Sequence, residues 1–201
     1  MKALILVDIQ NDFLPGGALA VAKGHEIIPL VNSLQSKFDV VVASQDWHPE
    51  HHASFASNHD NKTVFEVINL HGQEQVLWPN HCVQGTAGAS FFSALNTNAV
   101  SAIFRKGMHK EVDSYSAFFD NNKTQHTGLE AYLKSMQVTD VYVCGLAADY
   151  CVYFTAKDAQ NLGFKTYYIT DATRYISEDM YNTAVTDLKQ LGVTMLTSDE
   201  I

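Results

Sequence analysis

The sequence predicts an α/β fold: a six-stranded, mostly parallel sheet covered by helices on both faces, in a Rossmann-like three-layer arrangement. Three observations predict it. Short, continuous, β-rich apolar runs recur along the chain, helical periods separate them, and capping residues or glycines mark the junctions. The runs are Ala3–Val7, Asp39–Ala43, Val100–Phe104, Val141–Cys144, Lys165–Ile169 and Val193–Leu196. Each is too short for a helix, and continuous apolarity marks a strand buried on both faces. The first helix is read from the stripe Ile27, Ile28, Val31, Leu34 and Phe38. Thr127-Gly128-Leu129-Glu130 reads as a capping box ahead of Leu129, Leu133 and Met136. Asp149 is the expected cap of a helix ending near Leu162-Gly163, and Ser177 of one ending near Leu191-Gly192. The span from Trp47 to Phe92, rich in His, Asn, Gly and Pro, reads as irregular, and long irregular segments are usually functional. A length of 201 residues suits a single domain, 1–201.

Bulk properties narrow the function. The formal net charge of −9 argues against nucleic acid and anionic membrane as partners, since both are bound by basic faces. No apolar run approaches the length of a membrane span. The start, Met1 to Asp8, is too short in its apolar part to be a signal peptide. Three cysteines, Cys82, Cys144 and Cys151, make no disulfide framework, so a reduced cytoplasmic setting is expected.

In open α/β sheets, ligands sit beyond the carboxyl ends of the strands. Asp8 follows the first predicted strand, Gln45-Asp46-Trp47-His48 the second, Arg105-Lys106-Gly107 the third, and Gly145 to Cys151 the fourth. Cys151 in the first turn of a helix meets free N–H groups and the positive dipole end, which favour a thiolate and a developing oxyanion. Lys106 adds positive charge, and Asp8 can accept the thiol proton. Taken singly, each of these residues has a plainer explanation as a packed, capping or solvated side chain; their joint placement at adjacent strand ends favours catalysis. Cys144 lies within a strand and reads as core, and Cys82 as structural. A redox-sensor role for Cys151 lacks a well-placed resolving thiol.

Asp46 and His48 stand two apart, so in an extended segment both side chains point the same way and can chelate one ion. Trp78-Pro79-Asn80-His81 offers His81 as a third ligand. His51 and His52 are ambiguous, with at most one expected to face the ion. A mixed His and carboxylate set suits Zn²⁺, Fe²⁺ or Mn²⁺.

These segments resemble, in order and spacing, the nicotinamidases among the isochorismatase-like cysteine hydrolases. The resemblance is carried by Val7-Asp8-Ile9-Gln10-Asn11-Asp12-Phe13, Asp46-Trp47-His48-Pro49, Trp78 to Val83, Arg105-Lys106-Gly107 and Gly145 to Val152. It spans nearly the whole chain. It implies that Asp8, Lys106 and Cys151 form the catalytic triad, that Asp46, His48 and His81 hold one divalent metal ion, Zn²⁺ foremost, and that Phe13 and Trp78 sandwich a pyridine ring. His52, ahead of Ala53-Ser54-Phe55, matches a histidine that lies near the metal in some relatives and ligates it in others. Tyr115 is a candidate to close the pocket. A cis peptide is expected at Ala147–Ala148, with the Ala148 and Cys151 N–H groups as the oxyanion hole. Many relatives have Thr at the position of Ala148, a departure that leaves the backbone donor intact. The implied reaction is hydrolysis of nicotinamide to nicotinate and ammonia through a cysteine thioester, with pyrazinamide also accepted. Isochorismate and N-carbamoyl compounds are the competing substrates, and the full ligand set with a cysteine nucleophile argues against isochorismate. The partner expected is this small molecule; the sequence leaves open whether the chain forms a homodimer.

Overall fold

The computed structural model describes residues 1–201. Six strands form one sheet: β1 (Lys2–Val7), β2 (Val40–Asp46), β5 (Val100–Lys106), β6 (Asp140–Leu146), β7 (Lys165–Arg174) and β8 (Thr194–Leu196), in the order β5-β2-β1-β6-β7-β8. Every pairing among them is parallel. Ala3 to Val7 are buried without interruption, as are all residues of β2, so layers cover both faces of the sheet centre. The four expected helices are α1 (Ile28–Leu34), α2 (Leu129–Ser135), α3 (Cys151–Asn161) and α4 (Glu178–Gln190).

Two strands arise that the sequence did not announce. β3 (Val67–Leu70) and β4 (Gln73–Val76) pair antiparallel as a separate ribbon within the segment read as irregular. Half of their residues are exposed and a single one is buried, so no buried apolar run marks them.

The capping expectations divide. Ser177 caps α4, its hydroxyl accepting the Met180 N–H. No capping box forms at Thr127: Gly128 is the N-cap, and Glu130 pairs with Lys134 instead. Asp149 does not cap α3, whose N-cap is Tyr150. Its carboxylate instead accepts the Ile176 and Ser177 N–H groups at 3.0 and 2.8 Å, tying the turn before α3 to the entry of α4.

One glycine sets the sheet's geometry under the site. Gly145 has φ +121°, and a Cβ there would lie 2.1 Å from the Val7 carbonyl oxygen. Only a residue without a side chain lets β6 pass β1 at the point where Asp8 and the loop to Cys151 leave the sheet.

Candidate active site

The carboxyl ends of four neighbouring strands, β5, β2, β1 and β6, bring the reactive side chains together. Asp8 ends β1 in a left-handed conformation, φ +48°, which Asp tolerates better than most residues and which turns its side chain into the site. Its Oδ1 accepts the Ser44 hydroxyl at 2.7 Å, and its Oδ2 lies 3.0 Å from Lys106 Nζ. Lys106 Nζ also donates to Asp46 Oδ1 at 3.0 Å and to the Ser114 carbonyl at 2.8 Å, and lies 3.5 Å from Cys151 Sγ. All of these side chains are buried. The lysine is therefore a hub: one ammonium shared by two carboxylates and the thiol.

Burial sets the protonation states. It pushes Lys106 down, but the charges of Asp46 and Asp8 outweigh it and hold the ammonium well above its usual range. It pushes Asp46 up, yet His48 and Lys106 together bring that carboxyl well below its ordinary value. Burial raises Asp8, with Lys106 opposing. The Cys151 thiol is pushed well up, chiefly by burial, with Lys106 opposing and the neighbouring Asp8 and Asp46 adding to the rise. Burial thus opposes the thiolate that the helix position alone favours. Asp8 and the thiol share the Lys106 ammonium, which places the carboxylate to take the thiol proton.

The expected oxyanion donors are corrected by one residue. The Ala148 N–H donates to the Arg174 carbonyl at 2.8 Å, so it is occupied in the fold. The cis peptide lies at Leu146–Ala147, not Ala147–Ala148. The Ala147 and Cys151 amides donate to no protein acceptor, and both residues line the pocket. They are the pair open to a developing oxyanion.

The other wall of the pocket carries Asp46, His48 and His81. Their ligating atoms lie within 4.8 Å of one another, all in buried residues. A parallel bridge between His48 and Val83 lays the two loops side by side and sets His81 against His48. The His48 Nδ1 faces the Gly107 carbonyl at 3.0 Å and the His81 Nδ1 faces the Pro79 carbonyl at 2.8 Å. With each Nδ1 donating there, each Nε2 is turned toward the site. Those Nε2 atoms converge on Asp46 Oδ2, at 2.9 and 3.4 Å. Two imidazole nitrogens and a carboxylate aimed at one spot are the donor set of a divalent metal. The residues fit the ion that the sequence implied.

His52 does not join this set. Its Nδ1 lies 2.7 Å from the Ser54 hydroxyl and 3.2 Å from the Ser54 amide nitrogen, and its buried Nε2 has no partner in the protein. Burial and the adjacent His48 hold its pKa down at about 4, so the ring is neutral near pH 7. Its ligating atom lies within 4.8 Å of those of His48 and Asp113, a second buried cluster beside the first.

Phe13, Trp78 and Tyr115 line the pocket with Cys151, as do Leu19, Tyr150, Ile176 and Asp113. Three supporting residues escaped the sequence reading. Gln10 donates to the Asp46 carbonyl at 2.8 Å and accepts the Asp46 N–H at 2.8 Å, continuing the β1–β2 ladder with a side chain. Asp12 accepts the Cys82 N–H at 2.7 Å, fixing the backbone next to His81. Both lie within the quoted motif around Asp8, but their role is a backbone contact across the fold. Asp113 has no such signal; it is an acid in an unpatterned polar stretch.

Gly107 is the tightest point of the metal wall. It has φ +65°, and a Cβ there would lie 2.4 Å from His48 Cε1 and 2.9 Å from Asp46 Oδ1. Gly107→Ala is expected to push His48 off its position and lower metal affinity by roughly tenfold or more. Titration of the metal-free variant with Zn²⁺ checks this, and wild-type affinity would contradict the assignment of His48.

Comparison with known proteins identifies the relatives of this chain. The family model described as an isochorismatase domain matches residues 2–200. The nicotinamidase of Acinetobacter baylyi is 50% identical over 174 residues, 87% of this chain and 81% of that protein. Among solved structures, the nicotinamidase–pyrazinamidase of Acinetobacter baumanii superposes with a TM-score of 0.97 at 48% identity, covering 99% of this chain and 97% of that one. The pyrazinamidase of Pyrococcus horikoshii in complex with zinc matches at a TM-score of 0.80 and 38% identity, covering 98% of each chain.

Proposed function

The chain belongs to the isochorismatase family, and within that family we infer that it hydrolyses nicotinamide to nicotinate and ammonia. It is an amidohydrolase, and pyrazinamide, which differs by one ring atom, is a second substrate. Residues 1–201 act as one domain in this reading. The observation that carries it is the meeting of two groups at one aromatic pocket. Cys151, Lys106 and Asp8 form the first, Asp46, His48 and His81 the second, and the Lys106–Asp46 contact joins them.

Asp46, His48 and His81 would hold the divalent ion, with Zn²⁺ foremost. When bound, the ion supplies an anchor for the lone pair of a ring nitrogen. Phe13 and Trp78 hold the ring, so that its carboxamide lies over Cys151 in a reactive orientation. Asp8 takes the thiol proton as Sγ forms a bond to the carbonyl carbon. The Ala147 and Cys151 amides receive the negative oxygen. Asp8 returns the proton to the amide nitrogen, the C–N bond breaks, ammonia departs and a thioester remains. Water then adds to the thioester with Asp8 again accepting a proton, and nicotinate and the thiol are released. Lys106 keeps Asp8 ionised between steps and offsets the charge that builds on sulfur.

Ammonia release from nicotinamide tests the reading, measured before chelation, after it and after Zn²⁺ restoration. Activity that falls on chelation and returns with metal is expected. No release from metal-loaded protein would overturn the substrate assignment.

A further inference from the structure

We propose that Gln75, on the outlying β3–β4 ribbon, is a positioning residue for the substrate pocket. The proposal rests on the reading of that pocket given above. A two-stranded ribbon outside the main sheet is marginal by itself and needs an anchor. Gln75 is the one buried residue of this ribbon; its other positions are exposed or half-buried. A polar side chain in the buried place is unusual, and its partners explain it. Its Nε2 donates to the Asp113 carboxylate at 3.1 Å and lies 3.2 Å from the Tyr115 hydroxyl. It also reaches the Val76 carbonyl at 2.7 Å. The carboxylate fixes which end of the amide faces inward, since only the nitrogen can donate to it.

Asp113 and Tyr115 both line the pocket. The Tyr115 hydroxyl also receives the indole N–H of Trp78 at 3.3 Å, and the two rings meet edge to face, 6.2 Å apart. Gln75 therefore sits behind three pocket-wall residues and touches no space open to the substrate: it acts through Asp113 and Tyr115, and through Tyr115 on Trp78. Without its amide, Asp113 keeps only the Ser114 N–H at 2.7 Å, and one buried carboxylate oxygen loses its donor. The aromatic wall against which the ring stacks then loses its fixed position.

The test compares Gln75→Leu, which keeps the volume and removes the donor, with Gln75→Glu, which sets a second carboxylate against Asp113. Gln75→Leu is expected to raise KM for nicotinamide roughly tenfold with kcat changed by less than about threefold. Gln75→Glu is expected to raise it further. Incorporation of 5-fluorotryptophan gives a readout independent of turnover, because the chain has two tryptophans. Trp47 lies under the Arg105 guanidinium, 3.9 Å away, and serves as the internal reference. The Trp78 fluorine resonance is expected to shift or broaden in both variants while that of Trp47 stays in place. An unchanged KM together with an unchanged Trp78 resonance would overturn the proposal. If wild-type protein released no ammonia, the substrate reading would fail, and the Trp78 resonance would still decide whether Gln75 holds the wall. Should Gln75→Leu not fold, Gln75→Asn, which keeps the amide but shortens its reach, is expected to give the same shift.

Discussion

Cys151→Ala is expected to lower ammonia release by at least about 10⁴-fold while nicotinamide still binds. The thiol is the one cysteine lining the pocket that holds both free amides, Ala147 and Cys151, and backbone donors without a nucleophile stabilise nothing that forms. The substitution removes one buried sulfur and no hydrogen bond on which the backbone depends, so the fold should survive. Nor does it touch Asp46, His48 or His81, so metal content should match wild type. Calorimetric titration with nicotinamide, alongside the ammonia assay, separates binding from chemistry. Residual turnover within about tenfold of wild type would remove Cys151 from the mechanism.

Lys106→Met is expected to damage stability and activity together. The ammonium lies 3.0 Å from Asp8 Oδ2 and 3.0 Å from Asp46 Oδ1, and all three residues are buried. Removing one partner of a buried ion pair leaves an uncompensated charge, at a cost of roughly 3–5 kcal/mol; here two carboxylates lose the same partner. Denaturant unfolding of the metal-free protein should show the full loss, because bound metal would itself draw on the Asp46 charge. Adding Asp8→Asn to Lys106→Met should recover part of the stability and none of the activity, since the proton acceptor is then gone. If Lys106→Met alone unfolded like wild type, the lysine would not be the charge hub the distances describe.

Much of the scaffold was legible in the chain, for a physical reason. Strands buried on both faces must be apolar throughout, so β1, β2 and β6 stand out as runs. Residues just past those runs must then lie at the sheet's carboxyl edge, which pointed to Asp8, Asp46 and Cys151; Lys106 was reached through the run of β5, an edge strand with one face exposed. What was not legible depends on partners far away in sequence. The β3–β4 ribbon buries one residue, so no pattern reveals it. Which amide is free for an oxyanion turns on the Arg174 carbonyl, which claims Ala148 and leaves Ala147. Asp149 looks like a helix cap until Ile176 and Ser177 come near enough to donate to it. His52 lies beside the ligand set, and its Nδ1 contact with Ser54, two residues on, is set only by the local turn.

The placement of reactive groups on four neighbouring strands bears on how the chain acquires its competence. Asp8, Asp46, Lys106 and Cys151 are tens of residues apart in sequence, and no two come from one hairpin or one local turn. Parallel neighbours can be joined only after the intervening chain has crossed over and returned, so these contacts form late and carry the entropic cost of long loops. An unfinished sheet holds helices and hydrophobic clusters but no lysine between two acids and no thiol beside it. During refolding, helical signal should therefore return before alkylation protection of Cys151, and catalysis should be the final property regained.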